Sequence, residues 1–264
     1  MAANTALHFE STEAMLDHLT TLPASEIAQI RHIHVKSFPF PIYTHEKRIS
    51  STTYNMSETL ALFPCLALDL LTVEDPYHDP GVNDGWGDMG TYFDIETLIE
   101  SKGWKELHYT SPTTEFMSSL NDPYNSRRPQ PEGWDKLLKD RDGENSGAEV
   151  KMFVAKESGG KGLAADLQKG MVYEFVPSKS LAEVVHQLPD EPRGAMVTYL
   201  DADNVGIDSR EVLLVAKRGT DADYVQDGKA VNERIKALWD KMSWEEIKES
   251  GRYVDPGDDP CAHL

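Results

Sequence analysis

Three segments in the first part of the chain share one hydrophobic signature. Ile30-Arg-His-Ile33-His-Val35, Leu68-Asp-Leu-Leu71-Thr-Val73 and Trp104-Lys-Glu-Leu107-His-Tyr109 each read apolar-x-x-Leu/Ile-x-apolar. They start at positions 30, 68 and 104, so the spacings are 38 and 36 residues. The last part of each copy alternates apolar and polar, the two-residue period of a strand with one buried face. A looser fourth copy, Val150-Lys-Met-Phe153-Val-Ala155, begins 46 residues after the third.

Helical periods fill the gaps between these strands. Met15, Leu16 and Leu19 make one apolar stripe, and a short second one follows around Ile27 and Ile30. Ser57 is placed to cap a helix carrying Leu60 and Phe63. Asp94 is placed to cap another carrying Ile95, Leu98 and Ile99, with Gly103 at its left-handed stop. Alternating helix and strand predict an α/β fold whose parallel strands are joined by crossover helices. The strand pattern is that of a leucine-rich repeat, although such repeats usually run to about 20–29 residues. The longer spacing predicts an enlarged, curved, leucine-rich-repeat-like sheet, with an ordinary open α/β sheet as the alternative.

The last third is less regular. Val212-Leu-Leu-Val-Ala-Lys217 reads as a strand, and Val231, Ile235, Leu238, Trp239 and Met242 share one helical face. Ser243-Trp-Glu-Glu246 is a capping box for a last helix that Gly251 closes. The expectation is one α/β domain over residues 1–264. Residues 1–156 form its repeat-like half, and residues 157–264 supply an irregular strand and a helical cap.

Charge narrows the class of partner. The 264 residues carry 26 Lys and Arg against 45 Asp and Glu, a formal charge of −19. A phosphate-tracking nucleic-acid binder needs a basic face, and an anionic membrane surface repels such a chain. The charge is also concentrated: residues 49–101 hold ten Asp or Glu and no Lys or Arg. A field of that kind steers a basic partner or a cation. Two cysteines, Cys65 and Cys261, do not make a disulfide framework. With neither a basic-apolar leader nor a run of about 18 apolar residues, the sequence predicts a soluble cytoplasmic or nuclear protein.

The acidic stretch centres on Glu74-Asp-Pro-Tyr-His-Asp-Pro-Gly-Val-Asn-Asp-Gly-Trp-Gly-Asp-Met-Gly90. It follows a strand, at the carboxyl edge where α/β proteins bind ligands. Asp75, Asp79, Asp84 and Asp88, with His78, are hard-cation ligands by type, but their spacing matches no standard ion loop. Asp-Pro and Asn-Asp-Gly pairs are also what tight turns require. The favoured reading is a turn-rich loop presenting Tyr77, His78, Asp84, Trp86 and Asp88 to a partner, beside Phe40 and Tyr43 of Phe38-Pro-Phe-Pro-Ile-Tyr43 and residues 111–115.

Other candidate chemistry is weaker. Tyr199-Leu-Asp201-Ala-Asp203-Asn-Val resembles the nucleophile motif of haloacid-dehalogenase-type phosphatases, but too little chain follows it to complete that fold. Ser158-Gly-Gly-Lys-Gly162 lacks the phosphate-loop spacing. His32, His34 and His108 occupy the polar slots of the repeated strands, which predicts a solvent-facing sheet surface and no zinc cluster. No cofactor is expected.

Several blocks resemble fungal F-box-domain-containing proteins: Val82-Asn-Asp-Gly-Trp-Gly-Asp88, Leu98-Ile-Glu-Ser-Lys-Gly-Trp-Lys-Glu-Leu107, Pro112-Thr-Thr-Glu-Phe-Met117, Tyr224-Val-Gln-Asp-Gly-Lys229 and Asp258-Asp-Pro-Cys-Ala-His-Leu264. The resemblance implies a partner-binding region without catalytic residues. Leu22-Pro23-Ala-Ser-Glu26-Ile27 imitates the start of an F-box. The repeat strand at Ile30 leaves no room for the rest, so recruitment of a ubiquitin-ligase scaffold is not expected. The sequence thus predicts a non-catalytic protein-interaction module whose partner carries a basic surface. The alternative is a metal-assisted hydrolase or phosphatase using the 74–90 loop or Asp201 and Asp203.

Overall fold

A computed structural model describes residues 6–37, 40–43, 51–77, 87–113, 116, 131–155, 162–163, 169, 172–175, 210–231 and 233–252. Strands β1 (Leu7–Phe9), β2 (His32–Lys36), β5 (Leu68–Glu74), β6 (Trp104–Ser111), β7 (Glu149–Ala155), β8 (Val172–Phe175) and β9 (Val212–Lys217) make one seven-stranded sheet. Its order is β1-β2-β5-β6-β9-β7-β8. Strands β3 (Phe40–Tyr43) and β4 (Ser51–Tyr54) pair antiparallel as a separate ribbon. The helices are α1 (Thr12–Leu19), α2 (Ala24–Ile27), α3 (Met56–Ala61), α4 (Gly87–Glu100), α5 (Glu132–Asp142), α6 (Glu233–Trp239) and α7 (Trp244–Glu249). No helix among the described residues is long and apolar enough to cross a membrane.

The repeat is a lateral register. Ile33 pairs with Leu71 and Leu71 with Leu107, while Val35 pairs with Val73 and Val73 with Tyr109. All six are buried on one face of three adjacent parallel strands. The three-residue step in the second copy also has a cause. Along a regular strand, Leu68 and Leu71 would point to opposite faces, yet both are fully buried in the same core. The Arg31 carbonyl accepts from the amides of both Asp69 (2.7 Å) and Leu70 (3.1 Å). Two residues therefore oppose one, which is a bulge, and the extra residue returns Leu71 to the face of Leu68.

The register stops at β6. The fourth copy was expected to add a parallel neighbour, but β9 lies between β6 and β7 and is antiparallel to both. In β7 the residues facing the main core are Val150, Met152 and Val154, so Phe153 packs on the other face with Ala155, Leu163, Leu213 and Val215. A match at one position out of phase inverts every side chain of a strand. The 212–217 strand, expected in an irregular third, instead sits inside the sheet. Its continuous Val-Leu-Leu-Val-Ala run is buried on both faces, as an interior strand requires.

Two helix starts differ from expectation. Asn55, not Ser57, caps α3: its side chain accepts from the Glu58 amide (3.0 Å), Glu58 reaches back to the Asn55 amide, and the Ser57 hydroxyl donates to Asn55 Oδ1 (2.7 Å). Helix α4 begins at Gly87, seven residues before Asp94, because Gly87 and Gly90 blank out the apolar period of its first turn. A Cβ on Gly90 would come within 2.5 Å of the Tyr77 ring, so this glycine lets α4 approach the end of β5. The capping box at Ser243 is formed as expected.

All seven described helices contribute to the core on one face of the sheet. Met15, Leu60, Ile95, Leu98, Trp134, Ile235 and Ile247 share one buried cluster with the inward residues of the strands. Trp134 stacks near Tyr92 (5.2 Å between rings), and both donate to Glu96, at 3.2 and 2.7 Å. Helix α7 ties back to α1 through Trp244 Nε1 donating to Asp17 (2.6 Å), joined by Lys248 on the same carboxylate.

Candidate functional site

Two features of the parallel half stand out, a sheet face that no described helix covers and a polar cluster at its carboxyl edge. With every described helix on the core face, alternation sends His32, His34, Lys36, Leu70, Thr72, Glu74, Glu106, His108 and Thr110 to the opposite face, where each is at least partly exposed. The pairing sets them in rows: His8, His34, Thr72 and His108 across the strands, and Lys36, Glu74 and Thr110 beside them. His34 Nε2 contacts Glu74 at 2.7 Å, His108 Nε2 contacts Glu106 at 2.7 Å, and the His8 and His34 rings lie 4.8 Å apart. These contacts hold the imidazoles in place on this face. The polar slots of the repeat thus face outward, as their sequence positions predict.

At the carboxyl edge, residues distant in sequence converge in the interior. Asp75, just past β5, is buried and accepts from Ser111 Oγ (2.6 Å), Thr91 Oγ1 (2.8 Å) and the Tyr77 amide (2.9 Å). The last of these is an Asx-turn. Asp94, in α4, is 2% exposed. It accepts from Ser37 Oγ, just past β2, and from the Met56 amide opening α3, both at a long 3.4 Å. Tyr109 points its hydroxyl into this cluster beside Asp94 and completes no hydrogen bond of normal geometry among the described residues.

Burial pushes the Asp94 carboxyl up to about 7, and the charge of Asp75 adds to the rise. The Met56 amide and the Tyr109 and Ser37 hydroxyls pull against it and do not win. Burial, with the charges of Asp75 and Asp94, holds the Tyr109 hydroxyl well above its ordinary value. Asp94 is therefore a buried carboxyl that exchanges its proton near neutral pH, a property concentrated at functional sites.

The expected site residues divide three ways. Tyr77 is present at this edge, half-buried, its ring against Gly90 and its amide on Asp75. Phe40 and Tyr43 lie on the β3 ribbon and Asp88 in the first turn of α4, described as backbone only. His78, Asp79, Asp84, Trp86, Asp201 and Asp203 lie outside the described residues. Asp75, offered as a cation ligand, is engaged with its own serine, threonine and backbone amide. Among the described residues, no group of three or more His, Cys, Asp or Glu side chains is placed to hold a metal ion.

Sequence reasoning missed Ser37, Thr91, Asp94 and Tyr109 as site residues, while Ser111 opens the 111–115 segment it did name. One signal was available. Thr91, Asp94, Ile95 and Leu98 fall at i, i+3, i+4 and i+7, so Asp94 lies in the buried stripe of its helix. A carboxylate in that stripe must find partners or keep its proton. No family model, curated protein or solved structure gives a match to this chain.

Proposed function

We propose that this chain is a non-catalytic protein-interaction module whose docking surface is the uncovered polar face of β2, β5 and β6, with their carboxyl edge. The observation that carries the reading is the one-sidedness of the sheet: all described helices pack on one face, leaving rows of oriented His, Glu, Thr and Lys side chains on the other. An open polar array suits a macromolecular surface better than a small molecule, which is usually held in a concave, mostly apolar pocket. Of the ten acidic residues in positions 49–101, Glu74 lies on this face, while Glu58, Asp94, Glu96 and Glu100 belong to α3 and α4 on the other, so the preference for a basic partner rests on the long-range field of the chain. The resemblance to the partner-binding region of fungal F-box proteins points the same way. The in-register units of β2, β5 and β6 support reading this half as an enlarged leucine-rich-repeat-like array, with α6 and α7 as its cap.

The test is affinity capture from a cell lysate with wild type and Thr72→Arg, a change at the middle of the uncovered face. We expect wild type to retain a discrete partner, with binding that weakens as salt rises, and the variant to lose at least about tenfold in recovery. Identical recovery by the two proteins would overturn the assignment of the surface.

The second reading, a metal-assisted hydrolase or phosphatase drawing on the 74–90 loop or on Asp201 and Asp203, has only Asp75, of its candidate aspartates, with described side-chain contacts, and those are with Ser111, Thr91 and the Tyr77 amide. Hydrolysis of a generic phosphate ester that requires added Mg²⁺ and is lost in Asp75→Asn would favour it over the first.

A further inference from the structure

On the sheet face that no described helix covers, two imidazoles are immediate neighbours. Strands β1 and β2 are parallel, and their register sets His8 directly against His34. Residues opposed in this way project to the same face from backbones about 4.8 Å apart. Their rings keep that spacing, with centres 4.8 Å apart and planes inclined at 57°. His8 is exposed and His34 partly exposed, so the pair opens to solvent.

That spacing suits a shared metal ion. A zinc–imidazole bond of about 2.1 Å puts the ring centre about 3.2 Å from the ion, and a near-tetrahedral angle between two such bonds sets the centres about 5 Å apart. The strands therefore need not move to bring both rings onto one ion. Glu74 adds the support that a histidine ligand usually has. Its Oε1 lies 2.7 Å from His34 Nε2. A metal-binding histidine commonly gives its other ring N–H to a carboxylate, which fixes the tautomer and makes the free nitrogen more basic. With Nε2 held by Glu74, Nδ1 is the His34 nitrogen left for an ion. His108 is held in the same manner by Glu106, but its neighbours in the row are Thr72 and Val215, neither of them an imidazole. It stands two strands from His34, about 10 Å away, too far to share the ion.

We propose that His8 and His34 bind a divalent transition metal ion, of the zinc, nickel or copper class that imidazole suits, with Glu74 as the carboxylate that positions His34. Two protein donors leave two positions of a tetrahedral ion open, to water or to a donor from outside the chain. The set is thus smaller than the three-ligand groups that are absent among the described residues, and its binding is exchangeable. The two histidines are 26 residues apart in sequence, so no motif spacing announces them. The formal charge of −19 draws a cation toward the chain.

Zinc chloride alone, titrated into the full-length chain, tests this by proton NMR of the imidazoles. The resonances of His8 and His34 should shift together and saturate at one ion per chain, while those of His18 and His108 stay in place. His8→Ala and His34→Ala should each abolish the saturable shift, with circular dichroism showing the fold retained. Glu74→Gln should weaken binding about tenfold. Cys65→Ser, which removes the exposed thiol, should leave it unchanged. Shifts confined to other histidines, binding that survives both histidine substitutions, or binding lost in Cys65→Ser would overturn the proposal. Equal affinity in Glu74→Gln would overturn the part given to that carboxylate. The titration needs no partner, so its outcome is independent of the docking role given to this face.

Discussion

Replacing Arg218 by Met should be among the most damaging single substitutions in this protein, costing about 3–5 kcal/mol. Arg218 follows β9 and grips Asp142, the last residue of α5, through Nε to Oδ2 (2.6 Å) and Nη2 to Oδ1 (2.8 Å). The two side chains are 3% and 2% exposed. The Gly219 amide donates to the same carboxylate (2.9 Å), and the guanidinium lies over the buried Trp104 indole (5.6 Å). Burial would raise the Asp142 carboxyl, but Arg218 and the Gly219 amide outweigh it and hold the group below its ordinary value. Without Arg218, the buried Asp142 carboxylate keeps, among the described residues, only the Gly219 amide and the partly exposed Arg141 Nε (3.2 Å). Its pKa then rises, so the penalty should grow as pH increases and shrink in acid. The double variant Arg218→Met, Asp142→Leu removes the stranded charge but leaves the Gly219 amide unsatisfied, which costs about 1–3 kcal/mol. Denaturant unfolding should therefore place the double variant between wild type and Arg218→Met. A single variant that unfolds like wild type would refute this account of the joint.

Asp94→Asn should have the opposite sign at neutral and alkaline pH. The folded-state value near 7 lies above the ordinary 3.8. The folded protein thus binds one more proton than the unfolded chain between those values, and stability falls as pH rises through that window. The contribution is complete below about pH 4 and gone above about pH 7, a difference on the order of 4 kcal/mol. Asparagine keeps the shape and cannot ionise: its Oδ1 can still accept from the Met56 amide, while Nδ2 takes the place of Oδ2 and can donate to the Ser37 hydroxyl. The variant should match wild type near pH 4 and exceed it by several kcal/mol near pH 8, read as the midpoint of urea unfolding. Parallel stability curves for the two proteins across that range would show that Asp94 does not titrate in the folded state.

Much of the parallel half was legible because its signal is local and repeated. Ile33, Leu71 and Leu107 recur at matching places in their strands, and the polar positions between them announced an outward face. The order of the strands was not legible. Val212 to Lys217 reads as a buried strand, but nothing in its own residues says that it enters between β6 and β7. The antiparallel insertion follows from long connections, not from periodicity. Phe153 illustrates a second limit: in a strand buried on both faces, an apolar match carries no phase.

The polar cluster was harder still. Ser37, Asp75, Asp94, Tyr109 and Ser111 come from five places in the chain, and only folding makes them neighbours. The acidic loop drew attention to Asp75 and Tyr77 through turn chemistry, whereas Asp94 was taken for a helix cap because a carboxylate often begins a helix. Its position in the buried stripe was the more informative fact.

The account stands on the uncovered face of β2, β5 and β6 being where a partner sits. Proton NMR of the histidine imidazoles tests this directly, because His8, His34 and His108 lie on that face, whereas His18 ends α1 on the other side of the sheet. On titration with the captured partner, the resonances of His34 and His108 should shift or broaden in proportion to occupancy, while that of His18 stays in place. Binding that leaves His34 and His108 unchanged would contradict the account and place the partner elsewhere on the molecule.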